Sequence, residues 1–138
     1  MSEFPLSGGC LCGGVRYEVT APPLSAGYCH CTRCQRRTGT AASAQARLAP
    51  DTFRLLSGAE LVGEYEPPDG FLKCFCSSCG SALWSKDKES GEVMSVRLGT
   101  FDPGHDIRPQ FRTFVTNAAE WEPIPDDGLE RFPERKPR

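Results

Sequence analysis

No run of apolar residues in this 138-residue chain approaches the roughly 20 that a membrane-spanning helix needs. The opening residues, Met1-Ser2-Glu3-Phe4-Pro5, have neither a basic stretch nor an apolar one, so no secretory signal is read there and the cytoplasm is the expected compartment. Neither sign of charge dominates: 16 Lys and Arg stand against 18 Asp and Glu, for a net charge of −2 and a pI of about 5.7. That balance speaks against nucleic acid and against an anionic membrane as partners. Internal repeats and low-complexity tracts are missing, which sets aside solenoids and disordered arms. Long helices have little room either, because 14 Gly and 12 Pro interrupt the chain every few residues. What remains is an ordinary globular composition, 38% hydrophobic and 25% charged, read as one domain over 1–138 that buries about two-thirds of its unfolded surface.

Short stretches alternate with period two, the mark of half-buried strands. Val15, Tyr17 and Val19 face away from Arg16 and Glu18, and Met94, Val96 and Leu98 away from Ser95, Arg97 and Gly99. Phe111, Thr113 and Val115 likewise alternate with Arg112, Phe114 and Thr116. Further strands are expected near 42–48, 53–56, 61–65 and 81–84, separated by Pro- and Gly-bearing turns. One or two helical turns are expected at Thr32–Thr38, with Gly39 placed to end them. The expected class is therefore all-β, with antiparallel sheets and minimal helix, and a charged tail from about 130 to 138 that is extended and frayed. Trp84 and Trp121 read as packing residues.

Eight cysteines fall in three tight groups: Cys10-x-Cys12, Cys29-x-Cys31-x-x-Cys34 and Cys74-x-Cys76-x-x-Cys79. In a reducing compartment such a pattern points to metal or catalysis rather than disulfides. Cys76-x-x-Cys79-Gly80 has zinc-knuckle spacing. Cys10 and Cys12, if on an extended strand, share one face and converge on a single ion. Neither pair closes a tetrahedral site alone, and the two together make a closed four-sulfur site. Spacing by itself leaves open whether Cys10 and Cys12 partner Cys76 and Cys79 or part of the middle group.

Cys29, Cys31 and Cys34 supply three thiols within six residues. Three protein ligands with a fourth position left free is the catalytic zinc arrangement, and a thiol entering that position would be deprotonated and held as a nucleophile. The competing reading is a second structural site completed by His30, Cys74 or His105. His30, between two ligands, is expected to point away from them. Cys74 reads as a spare buried thiol and His105 as a loop residue. Arg33, Arg36 and Arg37 are either a solvated helical face or cations that offset the thiolate charge and hold carboxylates of an anionic ligand.

Gly8-Gly9-Cys10-Leu11-Cys12-Gly13-Gly14-Val15-Arg16-Tyr17, Cys29-His30-Cys31-Thr32-Arg33-Cys34-Gln35-Arg36-Arg37-Thr38-Gly39 and Phe75-Cys76-Ser77-Ser78-Cys79-Gly80-Ser81 resemble the glutathione-dependent formaldehyde-activating enzyme family, which includes centromere protein V. The likeness continues through Leu98-Gly99-Thr100-Phe101-Asp102 and Trp121-Glu122-Pro123-Ile124 to Asp127-Gly128-Leu129. The resemblance implies a β-tent fold and two zinc ions per chain. It assigns Cys10, Cys12, Cys76 and Cys79 to a structural zinc, and Cys29, Cys31 and Cys34 to a catalytic one. It implies a carbon–sulfur lyase that adds glutathione to formaldehyde, giving S-(hydroxymethyl)glutathione, with Arg33, Arg36 and Arg37 as candidates for binding the glutathione carboxylates. Two positions depart from the family pattern: Cys74, where many relatives carry a basic or other non-cysteine residue, and Arg112, where many have His. The implied partners are a small thiol and an aldehyde, and the reading allows a homo-oligomer. Other classes compatible with the residues are a non-catalytic zinc module that binds a protein and a zinc or thiol-redox sensor.

Overall fold

Residues 2–137 are described by the computed structural model; the expected domain span of 1–138 and the tail of 130–138 each include a residue outside that range. In chain order the strands are β1 Leu6–Gly9, β2 Arg16–Val19, β3 Ser25–Cys29, β4 Ser43–Arg47, β5 Phe53–Ser57, β6 Val62–Tyr65, β7 Leu72–Cys76, β8 Ala82–Lys86, β9 Val93–Arg97, β10 Phe111–Thr113 and β11 Glu130–Arg131. One helix, α1 at Thr32–Thr38, joins β3 to β4 and ends on Gly39 in the left-handed conformation, whose N–H bonds the Gln35 carbonyl. The strands form a three-stranded sheet, β1-β2-β5, and an eight-stranded sheet, β11-β10-β3-β4-β9-β8-β7-β6.

The core lies where the two sheets face each other. Across the large sheet, cross-strand pairs place Cys74, Trp84, Val96, Ala46 and Ala26 in one row, all buried. The small sheet answers with Val15, Tyr17 and Val19, each with no exposed surface, as the period-two reading expected. Tyr17 stacks on Phe53 and meets Trp84 edge-on, while its hydroxyl bonds the Thr100 hydroxyl at 2.7 Å.

Three expectations need correction. The large sheet is mixed rather than antiparallel, because β10 pairs in parallel with both β3 and β11. The alternation expected to run from Phe111 to Thr116 stops at Thr113: Phe114 takes a left-handed backbone (φ 55°) and a 3-10 turn follows at Val115–Asn117. Trp121 is 68% exposed and packs no sheet, whereas Trp84 is core.

The opposite face of the large sheet carries mostly polar side chains, the majority half-buried. Its register aligns Phe111, Gly27, Gln45 and Arg97 in one row and Ser25, Arg47, Ser95, Ser85 and Lys73 in the next. Arg97, which the alternation places on the polar phase, is only 7% exposed.

Candidate metal centres and an adjoining cavity

The first cysteine cluster is built by two turns that belong to different sheets. Cys10 and Cys12 lie in the β1–β2 turn, not on an extended strand: the Gly13 N–H bonds the Cys10 carbonyl at 3.1 Å and the Cys10 N–H bonds the Val15 carbonyl at 3.1 Å. Convergence of the two thiols is thus a property of the turn, and the Val15 N–H donates to the Cys10 sulfur at 3.3 Å. Cys76 and Cys79 flank the β7–β8 turn, where Gly80, at φ +81°, returns its N–H to the Cys76 carbonyl at 2.7 Å. Ser81 ties the two turns together, accepting from the Leu11 N–H at 3.0 Å and sitting 3.2 Å from the Cys79 sulfur. Its hydroxyl and backbone N–H pull the Cys79 thiol down to about 5.

All four sulfurs of this cluster lie within 4.8 Å of one another. Cys10 and Cys12 are 3.5 Å apart, and Cys12 and Cys76 3.9 Å. Tetrahedral zinc with Zn–S bonds of about 2.3 Å requires sulfurs about 3.8 Å apart, so the donor set and its spacing suit zinc. The pairing that spacing alone left open is the one between the first and third groups.

The second cluster gathers Cys29, Cys31 and Cys34 within the same 4.8 Å limit. Cys29 ends β3 and is buried. Cys31 is the N-cap of α1, its sulfur accepting from the Cys34 N–H at 3.3 Å. Cys34 lies one turn on, within reach of the same point. Hydrogen bonds with Cys29 and Cys34 draw the Cys31 thiol strongly down, and bonds with Cys31 and Cys34 push the Cys29 thiol up. Three sulfurs this close do not all ionise without a cation, which is the condition a metal meets. No fourth His, Cys, Asp or Glu joins the trio among the described residues.

The three candidate fourth ligands are engaged elsewhere. The His30 ring is buried and meets the Arg112 guanidinium at 3.2 Å from Nε2, pointing away from the ligands as expected. Arg112 stacks over Tyr28, 4.3 Å from the ring centroid, and donates to Asp127 at 2.7 Å, which holds the Asp127 carboxyl below its usual range. His105 accepts from the Ile107 N–H at 3.1 Å. Cys74 faces the core on the other side of the sheet, 4.0 Å from a Glu64 oxygen, with its thiol pushed up to about 11, first by burial and then by that carboxylate. Since the thiolate is the reactive form, native protein at pH 9 leaves Cys74 unalkylated by iodoacetamide, and unfolding releases it; peptide mass mapping checks both.

A cavity of about 230 Å³ adjoins the trio, with Cys34 in its wall. Its floor is the polar face of the large sheet, including Gln45, Arg47, Lys73, Ser85, Ser95 and Arg97. Sequence reasoning did not single out Arg47, Lys73 and Arg97: Arg47 and Arg97 lie in expected strands as ordinary polar positions, and Lys73 lies in β7, a strand the sequence reading did not expect. The arginines it singled out stand elsewhere. Arg33 is held by Asp69, through a side-chain bond of 3.1 Å and a carbonyl bond of 2.9 Å. Arg36 is exposed, Arg37 is half-buried with Nε and Nη2 lacking partners, and none of the three lines the cavity. A larger cavity, about 450 Å³ against Phe53 and Trp84, includes no residue of either cluster. No described helix is long and apolar enough to cross a membrane.

Comparison with known proteins agrees with the cysteine pattern. Residues 5–117 match the family model described as glutathione-dependent formaldehyde-activating enzyme. A protein of Halomonas elongata, provisionally named a glutathione-dependent formaldehyde-activating enzyme, is 31% identical over 124 residues, covering 84% of this chain and 78% of its own. A crystal structure of a Rhodobacter sphaeroides protein superposes with a TM-score of 0.54 at 29% identity, over 72% of this chain and 91% of that one. The chain belongs to the glutathione-dependent formaldehyde-activating enzyme family.

Proposed function

We propose that the protein reversibly joins a low-molecular-weight thiol such as glutathione to a small aldehyde, acting as a carbon–sulfur lyase. Cys29, Cys31 and Cys34 hold one zinc ion, and Cys10, Cys12, Cys76 and Cys79 hold another that serves the fold. The observation that carries this reading is a trio of converging sulfurs with no fourth protein ligand among the described residues, set against a cavity that Cys34 itself lines. Bound there, zinc would supply a Lewis acid that lowers the pKa of a thiol placed at its free position.

The chain's own groups do the rest. Burial of Cys29 and the capping bond to Cys31 fix two sulfurs, and the first turn of α1 fixes the third. In the reaction the substrate sulfur gives an electron pair to the carbonyl carbon, a carbon–sulfur bond forms, and the carbonyl oxygen takes up the proton that the thiol released. Atoms and charge balance without an oxidant or reductant. The substrate thiol, unlike a protein nucleophile, leaves with the product, so no covalent enzyme intermediate is required.

Exchange spectroscopy on zinc-loaded protein with glutathione and formaldehyde tests the proposal. Interconversion of free and hydroxymethylated thiol is expected to run faster than in protein-free buffer. A rate equal to the spontaneous one removes the enzyme reading and leaves the binding module or the sensor.

The Asp127–Arg112–His30 chain suspends the loop between two trio ligands, so its loss is expected to act at the metal. Arg112→Met should weaken zinc binding at the trio roughly ten- to hundred-fold, as loss of outer-shell support commonly does. The four-sulfur cluster should keep its affinity. Chelator competition resolves the two sites, and equal release from both would contradict the assignment.

A further inference from the structure

The cavity beside the trio has a charge character that the reaction itself does not demand. Of the residues lining it, Arg47, Lys73 and Arg97 are cations and none is Asp or Glu. Arg97 is 7% exposed, its Nη1 bonds the Gln45 side-chain oxygen at 3.0 Å, and its Nε has no partner. Among the described residues the Lys73 ammonium finds only the Ser85 hydroxyl, at 3.4 Å. Three thiolates on a divalent ion leave about one negative charge, which three cations exceed. A buried cation with a neutral partner and an idle donor is costly, and such a cost persists where a ligand anion repays it.

We infer that this cavity is an anion subsite that receives a carboxylate-ended arm of the thiol substrate, and that the arm carries no ammonium group. The inference rests on the reading that the trio works on a thiol, and it specifies which thiols. Arg97 and Lys73 stand on adjacent rows of one sheet face, with Arg47 beside them, so a carboxylate entering from the trio meets donors on several sides. Ser85, Ser95 and Gln45 add neutral hydrogen-bonding groups. An α-ammonium would find no carboxylate to pair with and three like charges to repel it. At about 230 Å³ the space is below the 300–1,000 Å³ of sites that enclose whole drug-sized ligands, so it takes an arm rather than an entire peptide. For glutathione the arm that meets these terms is the glycyl carboxylate. The γ-glutamyl end, with its ammonium, remains outside.

Calorimetry on zinc-loaded protein with S-methylglutathione, which has both carboxylates but no free thiol, tests the subsite apart from the chemistry. Saturable binding is expected, at least about tenfold tighter than for the same peptide with a glycine carboxamide. A peptide lacking the γ-glutamyl ammonium should bind no more weakly than the parent. Arg97→Gln should erase the preference for acid over amide. Because Arg97 is buried and its variant can fail to fold, Lys73→Met provides the same test from a half-buried position and should shrink the preference. Equal affinities for acid and amide, or no saturable binding, would overturn the subsite. If exchange with glutathione is fast yet the carboxamide thiol is used equally well, the subsite fails and the lyase reading stands. If S-methylglutathione binds as described but exchange is absent, the lyase reading fails and the subsite stands.

Discussion

Cys76→Ser is expected to abolish the cooperative thermal transition of the protein, or to lower its midpoint by tens of degrees. Cys76 has no exposed surface and lies at the end of β7, where its sulfur meets Cys12 across the boundary between the sheets. Structural zinc sites contribute about 10–16 kcal/mol in small domains, as much as or more than the 5–15 kcal/mol by which whole domains are stable. Loss of one thiolate from four forfeits most of that contribution and leaves a serine hydroxyl in an apolar place. The variant should purify with at most one zinc per chain and melt far below the wild type, measured by circular dichroism and elemental analysis. Cys10→Ser should behave alike, because it removes the same site from the other sheet. An unchanged melting curve in both would mean that the four sulfurs do not bear on the fold.

Cys31→Ser is expected to do the reverse: thiol–aldehyde exchange falls to the protein-free rate while the melting temperature moves by only a few degrees. Cys31 is half-buried and serves as the N-cap of α1, a position at which serine is among the preferred residues. The helix start therefore survives the exchange of sulfur for oxygen, and the Cys34 N–H keeps an acceptor. The trio, reduced to two thiols, loses its hold on zinc, and metal content should drop by one per chain. Retention of full exchange activity in this variant would refute the assignment of the trio. The pair of variants separates the two clusters in opposite directions, one by stability and the other by rate.

The cysteine groups were legible in the sequence because ligand spacing is local. Cys76 and Cys79 meet through a turn that Gly80 announces, and Cys31 to Cys34 through the first turn of a helix that Gly39 closes. The joining of Cys10 and Cys12 to the later pair was not local, and family resemblance assigned it before the geometry placed the sulfurs together. Strands with one buried face, such as β2, were read correctly through Tyr17 and Val19. The alternation read on β9 holds, yet the burial of Arg97 was not legible, for a physical reason. Period two reports which residues share a face, and says nothing about whether the polar face meets water or a second layer of the protein. Arg97 is polar and buried, a combination that alternation alone does not announce. The parallel pairing of β10 escaped notice because β10 and β11 are three and two residues long, too short to carry a period. Phe114 ended the expected alternation through its backbone, where its side-chain type gives no warning.

The link from Asp127 through Arg112 to His30 also orders events as the chain is made. A polypeptide emerging from the ribosome has all four sulfurs of the first cluster once Cys79 is out, while β8 and β9, which join β7 to β4, are still to come. The loop that presents the trio waits for Asp127, some fifty residues later by sequence count, and for β11 to seal the exposed flank of β10. The donors of the four-sulfur cluster are thus complete well before the loop that carries Cys31 gains its last support from Asp127.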